Sequence, residues 1–250
     1  MRKTLLILLS IFGLTAALLA FPQRGIDAGK GLSFSETSSG GNPYVTSGLV
    51  AMWDAEWNVG FGVHDPESPI WKDLAGEHDA IVESGGFAAD GFCGVSYAPN
   101  PRLTSCTVEV VLSFITGGNF YPFDCRNTAE GSGFGIWQWT DTSNGSRMRW
   151  WVGRGNGSFW QTGFIATPSG TRFSYAFVGD GVSGEKAVYL NGARTQVSGG
   201  QRGFLYGESN LLKIGHERAN VISVRIYDRV LSAGEIAYNY SVDAERFRLP

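Results

Sequence analysis

Charge is scarce in this chain. Charged residues are 17% of its 250 residues, and no Lys/Arg-rich run occurs. With 20 basic against 23 acidic residues the formal net charge is −3. That argues against nucleic acid or an anionic membrane surface as the main partner, since both demand concentrated positive charge. Arg147, Arg149 and Arg154 are a loose basic group among tryptophans and read as strand-surface residues, not a phosphate track. Cysteine is scarce too. Cys93, Cys106 and Cys125 are an odd set without CxxC spacing, so at most one internal disulfide forms, and Cys93–Cys106 and Cys106–Cys125 both stay open. The three histidines, His64, His78 and His216, are far apart, so zinc is not expected. No Gly-x-Ser-x-Gly elbow, H-E-x-x-H pair or phosphate loop is present. Nor is there a long helical period or an internal repeat, which excludes a helical bundle or a solenoid.

What is abundant is glycine, 35 residues, and aromatics, at 13%. Many short strands joined by glycine turns give this composition, whereas a disordered chain has fewer aromatics and more charge. The length fits one domain of about 200 residues plus a leader. Arg2-Lys3 followed by an apolar stretch from Leu5 to Leu19 reads as a targeting segment over residues 1–20, either a cleaved signal peptide or an uncleaved membrane anchor. Both readings place the rest outside the cytoplasmic membrane, secreted or at the cell surface, with membrane contact only through that segment. Residues 21–44 are Gly/Ser-rich and read as a linker. The domain then spans 45–250.

Within it, period-two alternation marks strands. Leu49 to Trp53 reads as the first. Thr107 to Phe114 places Val108, Val110, Leu112 and Phe114 on one face. Phe134–Trp139, Arg147–Val152 and Phe173–Val178 alternate likewise. Lys186–Leu190 enters an Asn191-Gly192 turn, a strong hairpin signal. Val221–Tyr227 is the last strand. Ser232 and Glu235 then have capping-box spacing, which predicts a short C-terminal helix.

The closure Val224-Arg225-Ile226-Tyr227, Arg229, Leu231-Ser232-Ala233, Glu235-Ile236, Asn239-Tyr240 resembles the end of LamG-like domains of the concanavalin A-like lectin and glucanase superfamily. Gly48–Asp54 is similar to their opening strand. Trp71–Gly76 with His78–Ala80 is similar to their W-x-D turn, with Ala75 where Ser is usual. Thr107–Val110 and Ala187–Gly192 match a strand and a hairpin of theirs, although Val111 replaces an aromatic. The resemblance covers residues 45–246. It implies an all-β fold, a concanavalin A-like jelly-roll sandwich of two antiparallel sheets with a short C-terminal helix. It names no ligand.

The superfamily includes glucanases, so carboxylates matter. A retaining glycosidase needs two of them about 5 Å apart, and the sandwich glucanases supply them from an E-x-D-x-x-E strand. That spacing is absent. Asp54, Glu56 and Glu109 are the acids to inspect, and no catalytic residue is expected. Related domains bind Ca²⁺ through loop oxygens, which makes Asp54, Asp73 and Asp79 its candidate ligands, with Glu77 and Asp180 as further oxygen donors. Sugar sites stack a ring on an aromatic and fix hydroxyls with polar groups. Trp137, Trp139, Trp150, Trp151 and Trp160 lie within 24 residues, beside Gln138, Asp141, Asn144, Arg149 and Asn156. If Phe134, Ile136 and Gln138 share one face, Trp137 and Trp139 occupy the other, and Trp151 lies opposite Trp150. Trp139, Trp151, Trp160, Asp141 and Asn144 are therefore the candidate ligand residues. The expected function is a non-catalytic recognition module for a glycan or surface glycoconjugate. The alternatives are a structural or adhesive protein-binding module and a divergent glycoside hydrolase. Asn144, Asn156 and Asn239 begin glycosylation sequons.

Overall fold

Each alternating run folds as a strand, because successive side chains fall on opposite faces and the apolar set meets the interior. The structure is a computed structural model that describes residues 41–141, 145–154, 157–167, 170–198 and 211–250. The leader at 1–20 and most of the linker lie outside the described residues. The strands are β1 (Leu49–Asp54), β2 (Ile70–Trp71), β3 (Ala80–Ala88), β4 (Gly91–Pro99), β5 (Cys106–Phe114), β6 (Phe120–Asp124), β7 (Phe134–Asp141) and β8 (Gly145–Gly153). They continue with β9 (Phe159–Gln161), β10 (Ile165–Ala166), β11 (Phe173–Gly179), β12 (Lys186–Leu190), β13 (Ala193–Ser198), β14 (Leu211–Ile214) and β15 (Ala219–Tyr227). One helix, α1 (Ala233–Phe247), closes the chain.

The strands form two layers. One runs β13-β12-β11-β5-β15-β1, and the other runs β10-β8-β7-β6-β14-β4-β3-β2, with β9 also on β8. All pairings are antiparallel, and Val221 opposite Phe92 carries the sheet from one layer into the other. This is an all-β sandwich of jelly-roll type. Its core lies between the layers. Trp150 of β8 reaches across to Tyr175 and Phe177 of β11, with ring centroids 5.5 and 5.6 Å away. Trp53, Trp71, Phe92, Phe114 and Phe134 are fully buried beside it. Burying each such side chain contributes roughly 2–3 kcal/mol.

The strand β5 is buried on both faces. Val108, Val110, Leu112 and Phe114 join the inter-layer core, as the alternation predicts. Its other side lies under α1, where Phe247 packs on Val111 and Ile222. The helix starts as expected: the Ser232 hydroxyl accepts from the Glu235 amide, and the Glu235 carboxylate accepts from the Ser232 amide at 2.8 Å. The β12–β13 turn also forms as expected. Asn191 and Gly192 both have positive φ, 49° and 72°, the requirement of the tight hairpin turn that matches strand twist.

Tyr44, the last residue of the expected linker, is buried. Its hydroxyl donates to Asp243 and its ring lies under Arg225. The packed domain thus takes in the chain up to Tyr44.

Candidate functional site

The outer face of β7 and β8 concentrates aromatics and arginines. Phe134 and Ile136 point into the core and Gln138 is buried beside them, which turns Trp137 and Trp139 outward. On β8, Met148, Trp150 and Val152 point inward, leaving Arg147, Arg149 and Trp151 outside. The register sets Trp137 opposite Arg149, Trp139 opposite Arg147 and Gly135 opposite Trp151. Directly opposed residues share a face, so these side chains form one surface.

Further rings extend it. Trp137 and Trp139 lie nearly parallel, with centroids 6.0 Å apart. Trp151 meets Trp137 edge-on at 5.7 Å. Phe164 lies 5.9 Å from Trp137 and 5.6 Å from Trp139. Tyr121 of β6 and Phe159 of β9 border the set, 6.4 Å from Trp137 and 5.8 Å from Trp151 respectively. The three tryptophans are half-buried, so each keeps part of an indole surface at the solvent boundary. Trp137 Nε1 donates to Asn119 Oδ1.

Arginines interleave with the rings. Arg147 lies 4.9 Å from Trp139 and 4.6 Å from Phe164. Arg149 lies 4.7 Å from Trp137 and 4.3 Å from Phe164. Arg126 sits 3.7 Å above Tyr121 and pairs with Asp124, Nε to Oδ1 at 2.7 Å. Such stacked guanidiniums are attracted by the ring quadrupoles. Gly135 makes room for the Asp124–Arg126 pair. A β-carbon there would stand 2.7 Å from Asp124 Oδ1 and 3.2 Å from Arg126 Nε.

Of the sequence-derived candidates, the structure brings Trp139 and Trp151 together on this face. Trp160 is elsewhere: it sits opposite core residue Val152 and packs on the core, 6.4 Å from Phe177. Asp141 ends β7 opposite Gly145. Asn144 and Asn156 lie outside the described residues. Tyr121, Arg126, Phe159 and Phe164 were not singled out by sequence, because they come from short strands and turns with no alternation of their own.

The candidate Ca²⁺ ligands hold turns. Asp73 accepts from the amides of Met52, Ala75 and His78, each at 2.9 Å. Asp79 accepts from the Asp73 amide and pairs with Lys72 at 2.8 Å. Asp54 accepts from the Glu56 amide and from Arg246, at 2.9 and 2.7 Å. Among the described residues, no group of three or more His, Cys, Asp or Glu is placed to hold a metal. His64 contacts the Ala55 carbonyl, His78 contacts Asp73, and His216 stacks on Phe120.

Of the acids inspected for glycosidase chemistry, Glu109 and Asp54 are buried between α1 and the sheet and Glu56 is exposed at its edge. Arg225 Nε donates to Glu109 at 2.9 Å, and Asn239 Nδ2 donates to the same carboxylate at 2.8 Å and to the Tyr227 hydroxyl at 2.9 Å. Burial pushes the Glu109 carboxyl up, with Arg225 opposing the shift. Burial likewise raises Asp54, against the pull of Arg246. Glu56 pairs with the same Arg246 at 3.3 Å. Asn239, the third sequon asparagine, is fully buried in this network. Cys93 is a free thiol beside the Glu217 carbonyl, so the Cys93–Cys106 disulfide is not formed.

No family profile matches the chain, and no curated protein matches it in sequence. Among solved structures, it is similar to the ligand binding domain of botulinum neurotoxin serotype D in complex with N-acetylneuraminic acid. That match has a TM-score of 0.60 at 9% identity, over 81% of this chain and 52% of the other. It is also similar to the Trypanosoma rangeli sialidase in complex with sialic acid, with a TM-score of 0.55 at 14% identity, over 80% of this chain and 33% of the other. The chain therefore spans about half the length of the toxin domain and a third of the sialidase. Both likenesses are of fold. They define the class: an all-β sandwich.

Proposed function

We propose that this protein is an exported, non-catalytic recognition module of LamG-like type, secreted or held at the cell surface. It binds carbohydrate or a surface glycoconjugate on the outer face of β7 and β8. The observation that carries this reading is the register that sets Trp137 and Trp139 opposite Arg149 and Arg147, with Trp151 beside them. Indole faces stack on the apolar faces of sugar rings, and guanidinium N–H groups bind their oxygens. The toxin domain and the sialidase, whose structures contain N-acetylneuraminic acid and sialic acid, support a glycan as the ligand class.

The test is a glycan array on the full chain, with and without Ca²⁺. Trp139→Ala and Trp151→Ala should each abolish binding while leaving the circular dichroism spectrum unchanged. Retained binding in both variants sinks the site. A dependence on Ca²⁺ would give Asp54, Asp73 or Asp79 a metal to hold.

A second reading, a protein-binding adhesive module, has its own observation. Ile70, Ile81 and Tyr97 stand opposite one another in a row across β2, β3 and β4, at 38%, 58% and 36% exposure. An exposed apolar row of this kind suits a protein contact. Silence on the array from a folded sample would favour it.

A further inference from the structure

We infer that the β7–β8 face selects acidic glycans, with Arg149 reading an oxyanion on the sugar, a carboxylate or a sulfate ester. The inference rests on the proposal that this face binds carbohydrate, and it adds the ligand's chemical class and the residue that recognises it.

The guanidiniums of Arg126 and Arg149 differ in their partners. Arg126 is neutralised by Asp124 through two hydrogen bonds, Nε to Oδ1 at 2.7 Å and Nη2 to Oδ2 at 3.0 Å. Arg149 has no carboxylate partner among the described residues. Its guanidinium lies against three rings instead: Phe164 at 4.3 Å, Trp137 at 4.7 Å and Trp151 at 5.5 Å. Its Nε is enclosed and has no acceptor, and neither has the nearby Trp151 Nε1. Two donors on this surface, Arg149 Nε and Trp151 Nε1, thus lack an acceptor among the described residues.

That arrangement suits an oxyanion. The rings hold the faces of the guanidinium and fix its orientation, so little rotamer freedom remains to be lost on binding. Arg149 as a whole is half-buried, so part of its side chain reaches solvent. A carboxylate or sulfate there accepts charge-assisted hydrogen bonds, about twice as strong as those of a neutral hydroxyl. The sugar ring that carries the oxyanion then lies beside Arg149, over Trp139 or Trp151. Burial, helped by Arg147, pulls the Arg149 pKa down, and a bound anion opposes both effects. A nucleic acid is the less fitting polyanion, because its affinity comes from many phosphate contacts at once and the chain is net negative at −3.

The experiment is calorimetry on the full chain with matched probes: 3′-sialyllactose and 3′-sulfated lactose, each against lactose, and an oligothymidylate. At least one acidic probe should bind about tenfold or more tighter than lactose, with a preference that shrinks as salt rises. The carboxylate and sulfate arms identify the group. Arg149→Gln should erase the preference, so that acidic probes and lactose bind the variant with equal affinity, whatever that affinity is. Arg149→Lys, which keeps the charge and loses the planar fork, should retain part of the preference. Equal affinity for acidic and neutral probes in the wild type overturns the inference and leaves the carbohydrate reading standing, and that comparison needs no folded variant. A preference that persists in Arg149→Gln overturns the assignment to Arg149. Failure of the wild type to bind any glycan overturns both readings, and capture of the oligothymidylate alone would make the face a nucleic-acid site.

Discussion

Arg225 and Asp243, both fully buried, form a two-pronged ion pair that ties β15 to α1, with Arg225 Nη1 2.8 Å from Asp243 Oδ1. Glu109 holds the Nε side of the same guanidinium. Tyr44 covers its face at 3.9 Å. The residues that most resemble a LamG-like closure, Arg225, Tyr227 and Asn239, therefore act as a fastener between helix and sheet. That explains how such a motif can mark a fold and say nothing about a ligand.

The fastener gives the first prediction. Breaking a buried ion pair by removing one partner typically costs about 3–5 kcal/mol, and here Glu109 still partners the guanidinium, which favours the lower end of that range. Asp243→Ala should lower stability by that order in urea unfolding. Arg225 would then face Glu109 alone, and the Tyr44 hydroxyl would lose its acceptor. A loss below about 1 kcal/mol would show that the helix is held by its apolar contacts instead.

How much of this was legible in the sequence depends on the element. Long alternating runs read correctly, because one face of Thr107–Phe114 must enter the inter-layer core whatever its neighbours do. The capping box at Ser232 and Glu235 and the turn at Asn191-Gly192 read correctly because their chemistry is local. The hairpin β3–β4 did not read as strand. Gly85 opposes Gly94 there, and a β-carbon at either would come within 1.9 or 2.0 Å of the facing backbone. Those glycines let the two backbones approach, and they erase the alternation that would have announced the strands. The site was half legible. Alternation alone put Trp137 and Trp139 on the face opposite Phe134, Ile136 and Gln138, and Trp151 opposite Trp150, but which face turns outward needed the core. The pairing of Trp137 with Arg149 needs the β7–β8 register, which is not a local property. Trp160 lies in a three-residue strand, too short to show which face it takes. Asp73 shows the same limit in another form, since a carboxylate that holds three amides looks in sequence like one that holds a metal.

The second prediction concerns pH. Hydrogen bonds from Arg229 hold the Glu235 carboxyl at about 2, below its usual 4.5. The charged form is thus favoured by folding, and its contribution is complete above the unfolded value near 4.5. It is lost as pH falls from there toward about 2. Glu235→Gln should remove this component, so the stability difference between wild type and variant should shrink as pH drops through that window. Subtracting the two urea series cancels the other carboxylates. A constant difference from pH 6 to about 2.5 would mean that the charge of Glu235 contributes nothing to the fold.

The last prediction tests the shape of the binding face. Gly135 stands opposite Trp151 on one side and Asp124 on the other, and its missing side chain leaves a notch that the Asp124–Arg126 pair fills. Arg126 in turn lies 3.7 Å above Tyr121 and 5.2 Å from Trp151. Gly135→Ala would place a methyl group against both members of that pair, Asp124 Oδ1 at 2.7 Å and Arg126 Nε at 3.2 Å. The backbone there needs no positive φ, but the methyl would also stand 3.1 Å from the Phe123 carbonyl oxygen, so the neighbouring strand must give by a few tenths of an ångström. The Asp124 carboxylate must therefore shift, and with it the Arg126 guanidinium that it holds, which disturbs the stacking on Tyr121 and Trp151, worth about 1 kcal/mol or more when partly desolvated. The variant should remain folded, with a thermal midpoint within a few degrees of wild type, while glycan affinity falls about fivefold to tenfold. Wild-type affinity in a folded Gly135→Ala protein would confine the binding surface to Trp137, Trp139, Arg149 and their neighbours, away from the Arg126 end.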